Sequence, residues 1–169
     1  MVRPRGPDHY RGSQWRLRST DALGGVLAHL AIHQVDLCCQ LLGVPHDMAG
    51  FMEAISEHTN VEFRAAIAVV FRSGAIATVI ATSDPGRRRS RTAVMDGERQ
   101  LLIDEEGTSL TADGTTIVAP APRVPKLRAS VYEDVISAMR AGEQPNIASL
   151  VSAEGAIRFL ELSRTVRRI

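Results

Sequence analysis

The stretch VEFRAAIAVVFRSGAIATVIAT, residues 61–82, decides the predicted fold. Valine, isoleucine, alanine and phenylalanine dominate it on both sides of Arg72-Ser73-Gly74. β-branched and aromatic residues favour strands, and a glycine between two such runs favours a tight turn. We therefore predict a β-hairpin of residues 62–71 and 75–82 that is joined at Ser73-Gly74.

Shorter runs of strand-forming residues surround this hairpin. One run precedes it at residues 48–56, and four follow it at residues 92–95, 100–103, 109–111 and 115–118. The later runs are separated by Asp96-Gly97, Glu106-Gly107 and Asp113-Gly114. Because Asp-Gly is a frequent hairpin turn, residues 48–118 are predicted to form an antiparallel meander.

Helical patterns lie on both sides of the sheet region. The first covers residues 23–42 and ends at Gly43, a common stop residue. A second helix is predicted to begin at Ser130, where Glu133 completes a capping box. The third covers residues 147–167, and its predicted buried stripe consists of Leu150, Ala153, Ile157 and Leu160.

This order of elements predicts the α+β class, with an open-faced, mostly antiparallel β-sheet and helices packed on one face. The length of 169 residues predicts one domain, residues 1–169. Its predicted parts are an extended lead-in (1–20), a first helix (23–42), a sheet (48–118) and C-terminal helices (130–167).

Charge and composition narrow the classes of partner. The formal net charge is +1, which argues against nucleic acid and against an anionic membrane surface. The run Arg87-Arg88-Arg89 follows Pro85-Gly86 and has no interleaved aromatic residues, so it indicates a solvated loop. The first residues lack an apolar signal region and no run is long enough to span a membrane, so we expect a cytoplasmic protein.

The two cysteines are neighbours, Cys38 and Cys39, within an apolar helical run. Adjacent cysteines rarely form a disulfide with each other, and two are too few for a zinc knuckle. We expect both to be buried, reduced packing residues.

A polar stripe marks the first helix. His29, His33, Asp36 and Gln40 follow one another at spacings of four, three and four, which places them on one helix face. Two imidazoles, a carboxylate and an amide can donate, accept and titrate near neutral pH, and therefore suit a cleft. Two alternatives stay open: a narrow solvated side of an amphipathic helix, and a metal site of His29, His33 and Asp36.

The run from Gly24-Gly25 through His29, Ala31 and His33 to Asp36 resembles the helix that opens the C-terminal domain of the glucose-fructose oxidoreductase / inositol dehydrogenase / MocA family. The lead-in to Trp15-Arg16 and the ending, in which Gly142-Glu-Gln-Pro145 separates two helices, are similar as well. The resemblance extends over essentially the whole chain.

The resemblance implies an open sheet of the kind found in the C-terminal domain of dihydrodipicolinate reductase. It also implies a homo-oligomer, a dimer or a tetramer, formed through the exposed face of that sheet. Full-length members have an N-terminal Rossmann domain that binds NAD(P). For this chain, that implies a Rossmann-domain partner in cis or in trans and no cofactor bound by the chain alone.

Individual residues also match the family's motif. The catalytic histidine falls on His33, which would exchange a proton with a substrate hydroxyl or carbonyl during hydride transfer. The resemblance places His29, Trp15, Arg16 and Asp36 at the substrate side of the site. Packing would also explain Trp15, and a salt bridge would explain Arg16.

Departures from the family pattern bear on activity. Leu23 replaces a glycine, Ala31 replaces the glycine before the histidine, and His29 replaces an acidic or amide residue. The family's catalytic lysine belongs to the Rossmann domain. No Gly-x-Gly occurs in the sequence, so it contains no Gly-x-Gly-x-x-Gly phosphate loop.

Two functions follow as expectations. The first is the substrate-binding and oligomerisation domain of an NAD(P)-dependent oxidoreductase for a sugar, polyol or related hydroxy compound, inactive by itself. The alternative is a non-catalytic dimeric binding or assembly protein derived from that domain. By resemblance the chain is part of an oxidoreductase, and the isolated chain is expected to be inactive.

Overall fold

A computed structural model describes residues 24–54, 61–83, 90–121, 124–145 and 153–168. A π-helical turn (Leu27–Ala31) leads into α1 (Ile32–Leu42), and two further helices are α2 (Val124–Ala141) and α3 (Glu154–Ser163). The strands are β1 (Pro45–Ala54), β2 (Glu62–Phe71), β3 (Ile76–Thr82), β4 (Thr92–Asp96), β5 (Arg99–Ile103), β6 (Gly107–Ala112), β7 (Thr115–Pro120) and β8 (Arg167–Arg168). The predicted α+β class is confirmed.

The strands lie in two four-stranded sheets, ordered β3-β2-β1-β8 and β4-β5-β6-β7. Each sheet belongs to a compact unit of its own: one unit comprises residues 1–87 and 149–169, and the other comprises 88–148. All pairs are antiparallel except that of β1 with β8. The sequence predicted the strands closely but not their division into two sheets.

The predicted β2–β3 hairpin is present, and its strands alternate between a buried and an exposed face. In β2 the buried side chains include Ala65, Ile67 and Val69, while Ala66 and Ala68 between them are exposed. The buried face packs into a core to which the helices contribute Val35, Cys39 and Phe159. This alternation places one face of the first sheet beneath α1 and α3.

The other face of the first sheet is exposed, and we call it the open face. Its rows follow the strand register: Phe51, Ala66 and Ile80 form one row, and Ala49, Ala68 and Thr78 form the next. Ile76 and Ile80 are 74% and 78% exposed. Beside the apolar rows, Arg64 binds Glu53 at 2.7 Å, and the Arg167 guanidinium lies 6.0 Å from the Phe51 ring centroid.

The second sheet is a meander closed by short turns, as predicted. Asp113 and Gly114 both have positive φ, at 50° and 72°, which is the pattern of a type I′ turn between β6 and β7. Between β5 and β6, Asp104 Oδ1 accepts hydrogen bonds from the N–H groups of Glu106 at 2.9 Å and Gly107 at 3.3 Å. The side chain therefore holds this turn in the manner of an Asx turn.

The C-terminal helices differ from their predictions. Helix α2 begins at Val124, so the Ser130 capping box lies inside the helix rather than at its start. Helix α3 ends at Ser163 and not at residue 167 as predicted, and Arg167–Arg168 form a short strand beside β1. The predicted start of the last helix, with Leu150, lies outside the described residues.

The predicted buried stripe of α3 was also wrong. Ile157 is 53% exposed, whereas Phe159 is 1% exposed and belongs to the core. The buried face consists of Gly155, Ala156, Phe159 and Ser163. A Cβ atom on Gly155 would lie 2.6 Å from the Cys39 Cβ, so the lack of a side chain at Gly155 lets α3 approach α1 along this face.

Candidate active-site helix

Glu62, the first residue of β2, holds the start of the helical segment. Its Oε1 accepts hydrogen bonds from the backbone N–H groups of Gly25 at 2.7 Å and Leu27 at 3.1 Å. The side chain is buried, with 5% exposure. The first N–H groups of a helix lack partners within the helix, and a carboxylate there also interacts favourably with the helix dipole. Glu62 therefore caps this helix from a neighbouring strand.

The Gly24-Gly25 pair permits this close approach. A Cβ atom on Gly25 would lie 2.0 Å from the backbone oxygen of Glu62, a separation that no side chain tolerates. Gly24 has a φ of +132°, which residues with a side chain rarely adopt. The glycines of the sequence motif are thus explained by the contact between the helix start and β2.

A π-helical turn separates the environments of the two histidines. His29 lies within this turn and is half-buried, and its Nε2 atom is buried. Its backbone N–H donates to the Gly25 carbonyl at 3.0 Å. His33 lies one turn later, in α1, and is exposed. The sequence reasoning assumed uniform α-helical spacing, which does not hold across a π turn.

The second half of the polar stripe keeps its α-helical spacing. The Gln40 Nε2 donates to the Asp36 Oδ2 at 2.8 Å, so these two side chains lie together on one face. Asp36 is half-buried and Gln40 is exposed. An exposed imidazole on the helix that carries this pair is an arrangement that can exchange protons and bind hydroxyl groups.

The metal alternative finds no support in the geometry. Within the described residues, no three His, Cys, Asp and Glu side chains are grouped so as to hold a metal ion, and His29, His33 and Asp36 are all described. These three are therefore not arranged as ligands of one ion.

Two predicted site residues, Trp15 and Arg16, lie outside the described residues, as do Arg87-Arg88-Arg89. The roles of Trp15 and Arg16 stay predictions.

Glu62 and the π turn are the features of the site that sequence reasoning missed. The only sequence signal for Glu62 is an acidic residue at the start of an otherwise apolar strand.

Both cysteines are free thiols on α1, Cys39 buried and Cys38 half-buried. The pKa of the Cys39 thiol is raised to about 11, chiefly by burial and to a smaller extent by the neighbouring Cys38 and Asp36. Burial also raises the pKa of Cys38. Since the thiolate is the reactive form, neither cysteine is an activated nucleophile at neutral pH.

None of the helices in the described part of the chain is long and apolar enough to cross a membrane.

Comparison with known proteins gives one family match. A family model described as the GFO/IDH/MocA C-terminal domain matches residues 1–103. A search of curated protein sequences gave no significant match.

Solved structures share the fold. A UDP-N-acetylglucosamine 3-dehydrogenase, GnnA from Acidithiobacillus ferrooxidans, matches with a TM-score of 0.66 and 19% identity over 80% of this chain and 45% of its own. The WlbA dehydrogenase from Bordetella pertussis, in complex with NADH and UDP-GlcNAcA, matches with a TM-score of 0.57 and 20% identity over 95% of this chain and 47% of its own. An oxidoreductase domain protein from Kribbella flavida matches with a TM-score of 0.69 and 18% identity over 89% of this chain and 51% of its own. The chain spans about half the length of each.

Proposed function

Since this chain belongs to the GFO/IDH/MocA family through the C-terminal domain that its sequence matches, we propose that it is the substrate-binding and oligomerisation domain of an NAD(P)-dependent oxidoreductase. The proposed substrate is a sugar, polyol or related hydroxy compound. Two of the solved structures support this class, since one is described as a UDP-N-acetylglucosamine 3-dehydrogenase and another holds NADH and UDP-GlcNAcA. We place the protein in the cytoplasm.

The observation that carries the proposal is the exposed His33 on a helix whose start is fixed to the sheet by Glu62. An imidazole can take or give a proton near neutral pH, and it is effective only when its position is fixed. In the proposed role, His33 exchanges a proton with the hydroxyl or carbonyl oxygen of the substrate. Asp36 and His29 contribute further polar groups to the substrate side.

Hydride exchange with the substrate carbon is the chemistry that a nicotinamide supplies. This chain has no Gly-x-Gly-x-x-Gly loop to receive a dinucleotide pyrophosphate. We therefore propose that the cofactor is held by a different segment, in cis or in trans, and that the present chain by itself binds no NAD(P) and turns over no substrate.

The test supplies a cofactor-binding half separately. Calorimetry should detect no binding of NADH or NADPH to the isolated chain. Activity on UDP-sugars, free sugars or polyols should appear when the half of the WlbA dehydrogenase that this chain does not match is added. His33→Ala should abolish that activity, whereas His46→Ala, which removes an exposed imidazole from β1, should leave it unchanged. Activity that survives His33→Ala would disprove the role of His33.

The open face supports the oligomeric part of the proposal. Exposed apolar rows of this kind are typical of association surfaces, and a second copy presents the same rows. We expect light scattering to give the mass of a dimer or tetramer. Ile80→Lys should reduce it to a monomer, whereas Ile157→Lys, on the exposed side of α3, should not.

The alternative function predicts different results in the same experiments. A non-catalytic assembly protein would keep its oligomeric mass and would show no activity with any added cofactor-binding half. The replacement of the family's acidic or amide residue by His29 motivates this alternative. A wild-type chain that stays monomeric at high concentration would contradict the alternative and the oligomerisation proposal together.

A further inference from the structure

We propose that Glu62 is a positioning residue for the candidate active-site helix: its carboxylate fixes the π-helical turn and thereby the orientation of His29 relative to His33. The catalytic meaning of this orientation rests on the proposed function. The contacts themselves do not.

Both hydrogen bonds from the helix start converge on one oxygen. Glu62 Oε1 accepts from the Gly25 N–H at 2.7 Å and from the Leu27 N–H at 3.1 Å. Hydrogen bonds to an ionised acceptor are stronger than neutral ones, and burial excludes the water that would compete. The helix start is therefore held at one point.

That point cannot move along the strand. Glu62 pairs with Ala54 of β1, so its backbone is part of the first sheet. On the other side, a Cβ atom on Gly25 would lie 2.0 Å from the Glu62 backbone oxygen and 2.7 Å from the Val61 Cγ1. The helix start and β2 are in direct backbone contact, and the carboxylate fixes their relative position.

The fixed point is connected to His29 through the backbone. Gly25, whose N–H donates to Glu62, accepts the His29 N–H at its carbonyl at 3.0 Å. His29 is the middle residue of the π-helical turn Leu27–Ala31, and His33 follows this turn in α1. A π turn contains one residue more than an α turn, and each residue of an α-helix turns the chain by about 100°. If the turn relaxed to α-helix, His29 would rotate relative to His33.

The experiment separates the reach of the Glu62 side chain from its charge. Glu62→Gln keeps an oxygen at the same distance without the charge, and Glu62→Asp keeps the charge but withdraws the oxygen by one methylene. Amide resonances of Gly25 and Leu27 and ring resonances of His29 and His33 are recorded by NMR on the full chain at one fixed pH. Glu161→Gln and Glu161→Asp serve as controls, because Glu161 is an exposed acid on α3 that pairs with Arg158.

We expect Glu62→Asp to shift the ring resonances of His29 and to speed amide exchange at Leu27 about tenfold, the size expected for loss of a cap. We expect Glu62→Gln to move the Gly25 and Leu27 amide protons upfield and to leave the ring resonances in place. Unmoved His29 resonances in Glu62→Asp would overturn the inference, since Glu62 would then be a cap alone. His29 ring shifts in the Glu161 variants as large as those in Glu62→Asp would also overturn it, since the shifts would then not report the contact of Glu62 with the helix start.

None of these readouts depends on turnover. A lack of activity with an added cofactor-binding half would count against the proposed function and leave the positioning role standing. Once activity is found, Glu62→Asp is expected to lower kcat by about tenfold to a hundredfold while KM changes little, as for a displaced catalytic group.

Discussion

The first sheet buries one face under α1 and α3, whereas the strands of the second sheet are largely exposed. Ile67, Val69 and Phe71 of β2 are buried in the first sheet. Of the described strand residues of the second sheet, only Thr92 is buried, and every residue of β7 is exposed. Burial therefore stabilises the first sheet. Turn geometry and cross-strand pairs contribute a larger share of the stability of the second sheet.

The difference bears on where a site can be held. A catalytic group must be fixed to within a fraction of an ångström, and this requires a rigid support. His33 lies on α1, which packs through Val35 and Cys39 into the core of the first sheet. The candidate site is thus on a helix that packs against the sheet that burial stabilises.

The largest expected effect comes from removing the aromatic side chain that α3 contributes to this core. Phe159→Ala should lower the free energy of unfolding of the first unit by about 3–5 kcal/mol, because Phe159 is fully buried. Native-state hydrogen exchange should show faster exchange at Ile67 and Val69 than in the wild type. Ile157→Ala, on the exposed side of the same helix, is the control and should cost far less.

The amides of the second sheet sharpen this comparison. If the two sheets are stabilised separately, Leu101 and Leu110 should exchange at the wild-type rate in Phe159→Ala. A matching acceleration there would mean that both sheets unfold as one cooperative unit, and the contrast drawn between them would fail.

The next effect tests the contact between the helix start and β2. Gly25→Ala places a Cβ atom 2.0 Å from the Glu62 backbone oxygen, so the helix must move away from the strand. Overpacking of this kind costs about 1–3 kcal/mol, measurable by urea unfolding. Leu41→Ala, at an exposed residue of α1, is the control and should cost far less. Equal losses in the two variants would show that the contact is not tight.

Much of this fold was predictable because its signals are local. The β2–β3 hairpin follows from two strand-forming runs and one glycine, and Asp113-Gly114 is a turn whose type the residues nearly dictate. Helix α3 was harder. Ile157 and Phe159 are both apolar, and the tertiary approach of Gly155 to Cys39, which places Phe159 on the core side, has no local sequence signal.

The candidate site was predictable only in part. The spacing of Asp36 and Gln40 correctly placed them on one face, because α1 is regular there. The orientation of His29 relative to His33 could not be predicted, because no local sequence pattern indicates a π turn. Glu62 was missed because its partners Gly25 and Leu27 are 37 and 35 residues away in sequence.

Alanine substitutions at two turn glycines, one in each sheet, would compare how strongly the two sheets depend on their turns. Gly74 closes the β2–β3 turn with a φ of 86°, and Gly114 closes the β6–β7 turn with a φ of 72°. A Cβ atom at either would have no atom of the described residues within 4 Å, so an alanine introduces backbone strain alone. Each substitution should cost about 1–2 kcal/mol. Hydrogen exchange should accelerate throughout the second sheet in Gly114→Ala but only near the turn in Gly74→Ala. Faster exchange that extended equally far from the turn in both sheets would contradict the contrast drawn between the two sheets.

The smallest expected effect concerns a single cross-strand pair in the second sheet. The Thr111 and Thr116 hydroxyls lie 3.0 Å apart on paired residues of β6 and β7. Thr116→Val keeps the β-branched shape and removes one hydroxyl, so it should cost about 0.2–1 kcal/mol, the usual contribution of such a pair. Thr115→Val changes the neighbouring residue, which is opposite Ala112, and should cost nothing measurable. Urea unfolding, followed through the amide resonances of the second sheet, would separate the two variants. If Thr116→Val were as stable as Thr115→Val, the hydroxyl pair of Thr111 and Thr116 would not contribute to the stability of the second sheet.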